Sequence, residues 1–466
     1  MGRLAVDCLE QMNRLDRKPV ARSVDSMLSS SRVFPTMLQE VIKVIGDYSE
    51  NNDIFYDDPL SADTQLIADL GLTSVDFVSI FQKCQSLSQD RLSFIELVMP
   101  VEGQYVSDLS IGELSEYIIK QSASIGPKST TGSASSQGQQ PKDVEDSKYK
   151  RSPFSSIQFD EFKSLIQTPT FSTDNTIDTS YKLVFILSSP RSGSTLLQRM
   201  LDQHPEIESP EELHLLHYDT YAQRQAALSH AETKHLLGGT VRLRAKVNGI
   251  SLEGSARLEG ELVESETPVI SFFKEIEDSF SKEYLVDKTP SYAYSRHTLE
   301  RITAQFPDAK FIYLVRHPSA VVKSLVDSQL QEIIPFARRY TGDTSAIPEM
   351  IWALCHENIQ SILKDIDNSR IHYLNYEDLV TSPDKSMDAL LSFLDLPFYA
   401  SCANPYSAEQ SMQIETNEFA GDLKFFLENR IVDNRADIWK SFPALHSLSE
   451  ISVGLMRNIP GYEVQQ

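Results

Sequence analysis

The chain has 466 residues, with 66 Asp and Glu against 43 Lys and Arg and a formal net charge of -23 at pH 7. An acidic balance of that size argues against a general DNA- or RNA-binding surface, which needs net positive charge facing the phosphates, and leaves room only for a local basic pocket. With 41% hydrophobic and 23% charged residues, the chain can bury cores over about two to four domains.

The N-terminus lacks the apolar stretch of a secretory signal. Apolar runs such as 183–187 and 311–315 are far shorter than the ~20 residues a membrane helix needs. Cys8, Cys84, Cys355 and Cys402 are far apart and show no metal-ligand spacing. The expectation is a cytoplasmic protein with reduced thiols, no structural metal and no membrane span.

Residues 1–34 are polar and weakly patterned and read as an N-terminal tail. Residues 35–121 form an acidic unit, with 15 Asp and Glu against 4 Lys and Arg, a net of -11. Leu38, Val41, Ile42 and Ile45 recur at helical spacing, and Leu109, Leu114, Tyr117 and Ile118 give a later helical pattern. Between them lies Asp69-Leu-Gly-Leu-Thr-Ser74-Val-Asp-Phe. Residues 122–150 are polar, rich in Ser, Gly and Gln, with almost nothing apolar to bury, and read as a flexible linker. From 151 to 466, strand-like apolar runs at 183–187, 311–315 and 371–374 alternate with helical patterns, which implies an α/β domain with a mainly parallel sheet.

The Ser74 segment resembles the attachment motif of acyl carrier proteins, in which a serine at the start of the second helix of a small all-α four-helix bundle bears 4′-phosphopantetheine. Thr73 stands where that family usually has Asp. The resemblance implies a carrier domain at 35–121, modified at Ser74 by a phosphopantetheinyl transferase. Its acidic surface suits docking on basic partner faces. The plain alternative is Ser74 as a helix N-cap.

In the α/β region a buried strand runs into Ser189-Pro190-Arg191-Ser192-Gly193-Ser194-Thr195-Leu196 and then a helix. Such a corner aims backbone N–H groups at one spot, and Arg191 with three hydroxyls adds donors for an anion. The loop is not a Walker A motif, since GxxxxGK[ST] is absent. A second strand ends at Val315-Arg316-His317-Pro318, with Ser324 on the helix after it. Two arginine-tipped strands at the carboxyl edge of one sheet fit a ligand carrying two separated anionic groups.

These motifs, followed by His372-Tyr-Leu-Asn-Tyr376-Glu377-Asp378, resemble the sulfotransferases that use 3′-phosphoadenosine 5′-phosphosulfate. The resemblance covers about 181–460 and implies a P-loop-like parallel sheet at 151–466. Residues 190–196 would be the 5′-phosphosulfate loop, and Arg316 with Ser324 the 3′-phosphate site. Lys288, in Asp287-Lys-Thr-Pro-Ser-Tyr292, would stabilise the leaving oxygen. In Ser209-Pro-Glu-Glu212-Leu-His214-Leu-Leu-His217, Glu212 or His214 would be the base, with Glu212 aligning with the glutamate of the tyrosylprotein-type members. Trp439 would pack on adenine and Lys440 meet a phosphate.

A carrier followed by a sulfotransferase resembles polyketide chain-termination modules that sulfate the β-hydroxyl of a carrier-bound acyl chain. The expected partners are therefore an acyl substrate on the carrier arm and polyketide synthase modules. A thioesterase would be a separate protein, because the chain ends at Gln466. The alternative acceptor is a free small-molecule, lipid or glycan hydroxyl.

Overall fold

A computed structural model describes residues 33–51, 59–66, 69–70, 80–81, 83–84, 87, 97, 108–123, 149–166, 176–229, 233–328, 331, 334–406, 431, 436–460 and 462. The described residues fall into two compact units, those up to 123 and those from 149 onward.

In the first unit, helix α1 (Val33–Asn51) and helix α2 (Ile111–Ala123) pack on each other. Val41, Ile45 and Tyr48 of α1 meet Leu114 and Ile118 of α2 in a core shared with Leu66, Phe81 and Leu109. The helical spacing read from the sequence therefore marks the buried faces. Helix α2 starts on a capping box: the Ser110 N–H donates to Glu113 Oε2 (2.8 Å) and the Glu113 N–H donates to Ser110 Oγ (3.2 Å). Ser74 and its neighbours 71–79 lie outside the described residues, as does most of the 122–150 stretch.

The second unit is built on a five-stranded parallel sheet. Its strands are β1 (Lys182–Leu187), β2 (Ile207–Glu208), β3 (Tyr284–Asp287), β4 (Lys310–Val315) and β5 (Ile371–Asn375), in the order β2-β3-β1-β4-β5. Every pair is parallel, with Phe185 opposite both Asp287 and Phe311. Strands β1 and β4 are buried along almost their whole length, as expected when helices cover both faces. Alternate residues supply the two cores. Leu183, Phe185, Leu187, Phe311 and Tyr313 face one core, shared with helices α8 (Arg296–Gln305) and α10 (Ile347–Leu363). Val184, Ile186, Ile312 and Leu314 face the other, shared with α4 (Ser194–Leu201) and α12 (Pro383–Phe393).

The longer helices that remain among the described residues are α3 (Ser156–Ser164), α5 (Tyr221–Leu228), α6 (Gly238–Asn248), α7 (Leu252–Glu264), α9 (Pro318–Ser328), α11 (Tyr376–Thr381) and α13 (Glu450–Arg457), beside a single turn at Phe272–Glu275. The expected strands appear where the apolar runs place them. β2 leaves no mark in the sequence, because two residues carry no period. Among the described residues no helix is long and apolar enough to cross a membrane.

Candidate active site

Each of the five strands ends, at its carboxyl edge, in a segment that contributes to one cluster of polar groups. Leaving β1, the chain turns through 188–193 into α4. Arg191 (φ 65°) and Gly193 (φ 89°) both take left-handed backbone. Gly193 is required on two counts. Left-handed backbone disfavours a Cβ, and a Cβ there would come within 2.3 Å of the Tyr376 ring. No side-chain hydrogen bond caps the α4 N-terminus at Gly193, and a helix start of this kind suits an anion. Ser189 and Ser192 share a hydrogen bond of 2.8 Å that fixes the turn. Ser192 and Ser194 are buried, and Thr195 and Leu196 half-buried.

The corner after β4 is tied directly to this loop. Arg191 Nε donates to Ser324 Oγ on α9 (2.9 Å), and Arg316 Nη1 donates to the Arg191 carbonyl (3.0 Å). The Arg316 guanidinium lies 4.2 Å over the ring of Tyr376, just past β5. Trp352 Nε1 donates to the Arg316 carbonyl (3.0 Å), and Glu377 Oε1 accepts from the His317 N–H (2.9 Å). Burial pushes the Glu377 carboxyl above its ordinary value, partly offset by that N–H and by Arg316. Arg191 is thus joined to Arg316 and Ser324, which lie more than a hundred residues further along the chain, in one cationic cluster. Glu377 and Tyr376 complete it.

The second half of the cluster comes from β2 and β3. Lys288, with a fully buried side chain, donates to Glu212 Oε1 (2.9 Å). His214 Nε2 lies 3.0 Å from Glu212 Oε2, off the line of a straight hydrogen bond. Burial alone would raise the Glu212 pKa, but Lys288 and His214 outweigh it and hold the carboxyl well below the usual carboxylate range. Glu212 is therefore ionised and locked against a lysine.

The 209–217 segment is held from several sides. Gln198 Nε2 on α4 donates to the carbonyls of Ser209 (2.9 Å) and Pro210 (2.8 Å). Thr289 Oγ1 accepts from the Leu213 N–H (3.1 Å) and donates to Asp287 Oδ1 (2.7 Å), while Tyr292 donates to Asp287 Oδ2 (3.1 Å). Burial raises Asp287 to about 6 despite those two donors. Buried Arg224 donates to the carbonyls of Leu213 (2.9 Å) and His214 (3.1 Å) and pairs with Glu259 (2.7 Å). Gly239 lets α6 approach, since a Cβ there would come within 2.2 Å of the Glu212 carbonyl. His214 itself sits at φ 47°.

Trp439 and Lys440 are placed differently from the other expected residues. The Trp439 ring stacks on His317 (3.9 Å, 5°), with Tyr149, Val322 and Leu445 in the same cluster. Lys440 pairs with Asp437 (2.7 Å). Arg430 and Arg435, from the same stretch, lie outside the described residues. Sequence reasoning gives no role to Asp287, Thr289, Ser291 or His217, although they flank the residues it selects. The contacts that bring Thr289, Ser291 and His217 to the other segment cross more than seventy positions, which spacing cannot show. Among the described residues no group of three or more His, Cys, Asp or Glu side chains could hold a metal ion.

Residues 184–400 match the model described as the sulfotransferase family. The chain is 30% identical over 215 residues to protein-tyrosine sulfotransferase 2 of Gallus gallus, covering 46% of this chain and 51% of that one. It is 24% identical over 282 residues to nodulation protein NoeE of Sinorhizobium fredii, covering 58% and 62%. The chain spans about half the length of the curated relatives it matches. Among solved structures, it is similar to the sulfotransferase domain from the Synechococcus PCC 7002 olefin synthase (31% identity, TM-score 0.55, 64% of this chain and 100% of that one). It is likewise similar to the sulfotransferase domain from the curacin biosynthetic pathway (31% identity, TM-score 0.56, 62% and 100%).

Proposed function

The chain belongs to the sulfotransferase family, and on that premise we propose that it moves a sulfuryl group from 3′-phosphoadenosine 5′-phosphosulfate to the β-hydroxyl of an acyl chain carried on its own N-terminal domain. The observation that carries this reading is that two groups follow the carboxyl ends of strands in one parallel sheet. One is a doubly cationic pocket, Arg191 with Arg316. The other is a buried acid–base pair, Lys288 with Glu212.

In this reading the 190–196 loop and the α4 N-terminus hold the phosphosulfate end of the donor, and Arg316 with Ser324 holds its 3′-phosphate. Glu212 takes the proton of the attacking hydroxyl. Lys288 supplies positive charge to the oxygen that departs with the nucleotide phosphate as the new sulfur–oxygen bond forms. Both roles need the pair to open, so donor binding must draw Lys288 off Glu212. Trp439 then acts through His317, backing the Arg316 corner, and Lys440 lies one residue further along. No metal enters this scheme.

The acceptor assignment draws on the two polyketide-type sulfotransferase domains, each matched along its full length at 31% identity. It also draws on the Ser74 motif within the acidic segment. The domain scheme is a tail at 1–34, a four-helix carrier at 35–121 bearing 4′-phosphopantetheine, a linker at 122–150 and the transferase at 151–466. The tether would raise the local concentration of acyl chain at the transferase. Phosphopantetheinyl transferase, polyketide synthase modules and a thioesterase are the partners of this scheme.

The test is mass spectrometry of the phosphopantetheinylated full chain, loaded with 3-hydroxyacyl groups and incubated with the donor. One sulfate on the Ser74-linked arm, absent in Ser74→Ala, is the expected result. Transfer only to free hydroxyl compounds would overturn the tethered acceptor and favour a free small molecule, lipid or glycan. No donor turnover would overturn the transferase reading itself.

A further inference from the structure

We propose that Arg224 is a positioning residue for the base: from α5 it fastens the Glu212 segment to the chain entering α6, and so fixes where the Glu212 carboxylate stands. The inference deepens the proposed transferase reading and rests on Glu212 as its base.

A guanidinium has only donors and a backbone carbonyl only accepts, so the chemistry settles the direction of every bond between them. Arg224 Nε donates to the His214 carbonyl (3.1 Å) and Nη2 to the Leu213 carbonyl (2.9 Å). Nη2 also donates to the carbonyls of Leu236 and Leu237 (both 3.2 Å), just before α6. One planar group therefore binds two stretches of chain that α5 separates in sequence. The two stretches meet at the base. α6 begins against Glu212, where a Cβ at Gly239 would lie 2.2 Å from the Glu212 carbonyl oxygen.

The base segment needs such a fastening. His214 has left-handed backbone (φ 47°), which a residue with a Cβ adopts only at a cost, so bonds from outside must hold it. Both bonds from Arg224 to this segment are buried, and leaving either carbonyl unpaired there is costly.

Arg224 is itself held. Nη1 donates to Glu259 Oε1 on α7 (2.7 Å), while Thr240 Oγ1 (2.7 Å) and Arg244 Nη1 (2.9 Å) donate to Glu259 Oε2. Arg244 pairs in turn with Glu275. Arg224, Arg244 and Glu259 are all buried. Two cations and two carboxylates balance, so none of these charges is left without a counter-charge. The cluster joins α5, α6, α7 and the turn Phe272–Glu275. All of them lie in the stretch that leaves β2 through Glu212 and returns in β3, just before Lys288.

The test uses the full chain. Arg224→Lys keeps a charge beside Glu259 but replaces the planar fork with a single ammonium, which cannot span four carbonyls. Hydrogen exchange read by mass spectrometry should quicken across 209–217, where the Leu213, Leu215 and Leu216 N–H groups donate to Thr289 and Tyr292. It should stay unchanged across 190–196. kcat should fall ~100-fold, the cost of a small misplacement at a reacting group, with affinity for adenosine 3′,5′-bisphosphate little changed. In a Glu212→Gln background the same change should cost little more, because it acts through that carboxylate. Wild-type exchange and kcat in Arg224→Lys would overturn the proposal. An equal kcat loss in both backgrounds would also overturn it, since a merely structural role lowers both alike. Should Arg224→Lys not fold, Arg224→Met with Glu259→Gln removes one charge of each sign and is read in the same way. Full kcat in Glu212→Gln, beside quickened exchange at 209–217 in Arg224→Lys, would count against Glu212 as the base and not against Arg224 as the clamp of its segment.

Discussion

Gly193→Ala separates two effects that the structure superimposes. The first is backbone strain. An L-residue at φ 89° costs ~1–2 kcal/mol, and that cost is present with or without ligand, so it should lower the melting temperature but not the nucleotide affinity. The second is collision. The new Cβ would lie 2.3 Å and 2.5 Å from Cδ2 and Cε2 of Tyr376, far inside contact distance, so the ring must move. Tyr376 is the surface under the Arg316 guanidinium, 4.2 Å away, and Arg316 is in turn bonded to the Arg191 carbonyl. Displacing that ring misplaces a charged donor whose hydrogen bonds to a phosphate contribute ~1.5–3 kcal/mol, about a 10- to 150-fold loss of affinity. The assay is calorimetric titration with adenosine 3′,5′-bisphosphate beside a thermal melt. Repeating the change in Tyr376→Val, which has neither Cδ2 nor Cε2, should leave the stability loss and remove the further affinity loss. An equal affinity penalty in both backgrounds, or none in either, would refute the account of Tyr376 as the link between Gly193 and Arg316.

Arg191→Ala should weaken binding of the same bisphosphate by ~1.5–3 kcal/mol through lost charge-assisted hydrogen bonds, measured by titration; unchanged affinity would remove Arg191 from the pocket. Glu212→Gln should lower kcat ~10²–10⁴-fold while donor affinity is kept. The same variant has a stability signature. The folded value of Glu212 lies below its ordinary 4.5, so its pairing stabilises the fold above that value and is lost as pH falls. The stability gap between wild type and Glu212→Gln should therefore close on acidification below about pH 4.5, as followed by denaturant melts. Asp287 has the opposite sign. Its folded value of about 6 lies above its ordinary 3.8, so wild type loses stability as pH rises through that window, and Asp287→Asn should flatten the slope there.

The sheet was legible because strands buried on both faces must be apolar at every position, and 183–187 and 311–315 satisfy that over five consecutive residues. The loop after β1 was legible for a related reason. Only glycine tolerates both the φ and the contact at 193, and small hydroxyl residues crowd around it. The binding partners of His214 were not legible, because Ser291 lies 77 positions away and the fold alone brings the two together. Nor could the surroundings of Trp439 be read, since an indole beside a lysine suits a nucleotide face and a packed core equally. In the structure His317 covers one of its faces. Legibility thus followed local steric demand, and failed wherever a role depends on long-range contacts.

The strand order carries one further consequence for the transfer chemistry. β1 lies at the centre, with β4 and β5 on one side and β3 and β2 on the other. The cationic corners follow β1 and β4, and the ring under Arg316 follows β5. Lys288 and Glu212 follow β3 and β2. A donor gripped at its two anionic ends by Arg191 and Arg316 would extend toward β4, leaving its reactive end over β1. An acceptor hydroxyl activated by Glu212 must then arrive from the β3 side, across β1 from the departing nucleotide. In-line displacement needs the attacking and leaving oxygens on opposite sides of the transferred group. With the base on the β3 side and the nucleotide on the β4 side, the strand order would supply that opposition, and Lys288, which sits beside Glu212, would have to reach across β1 to the leaving oxygen.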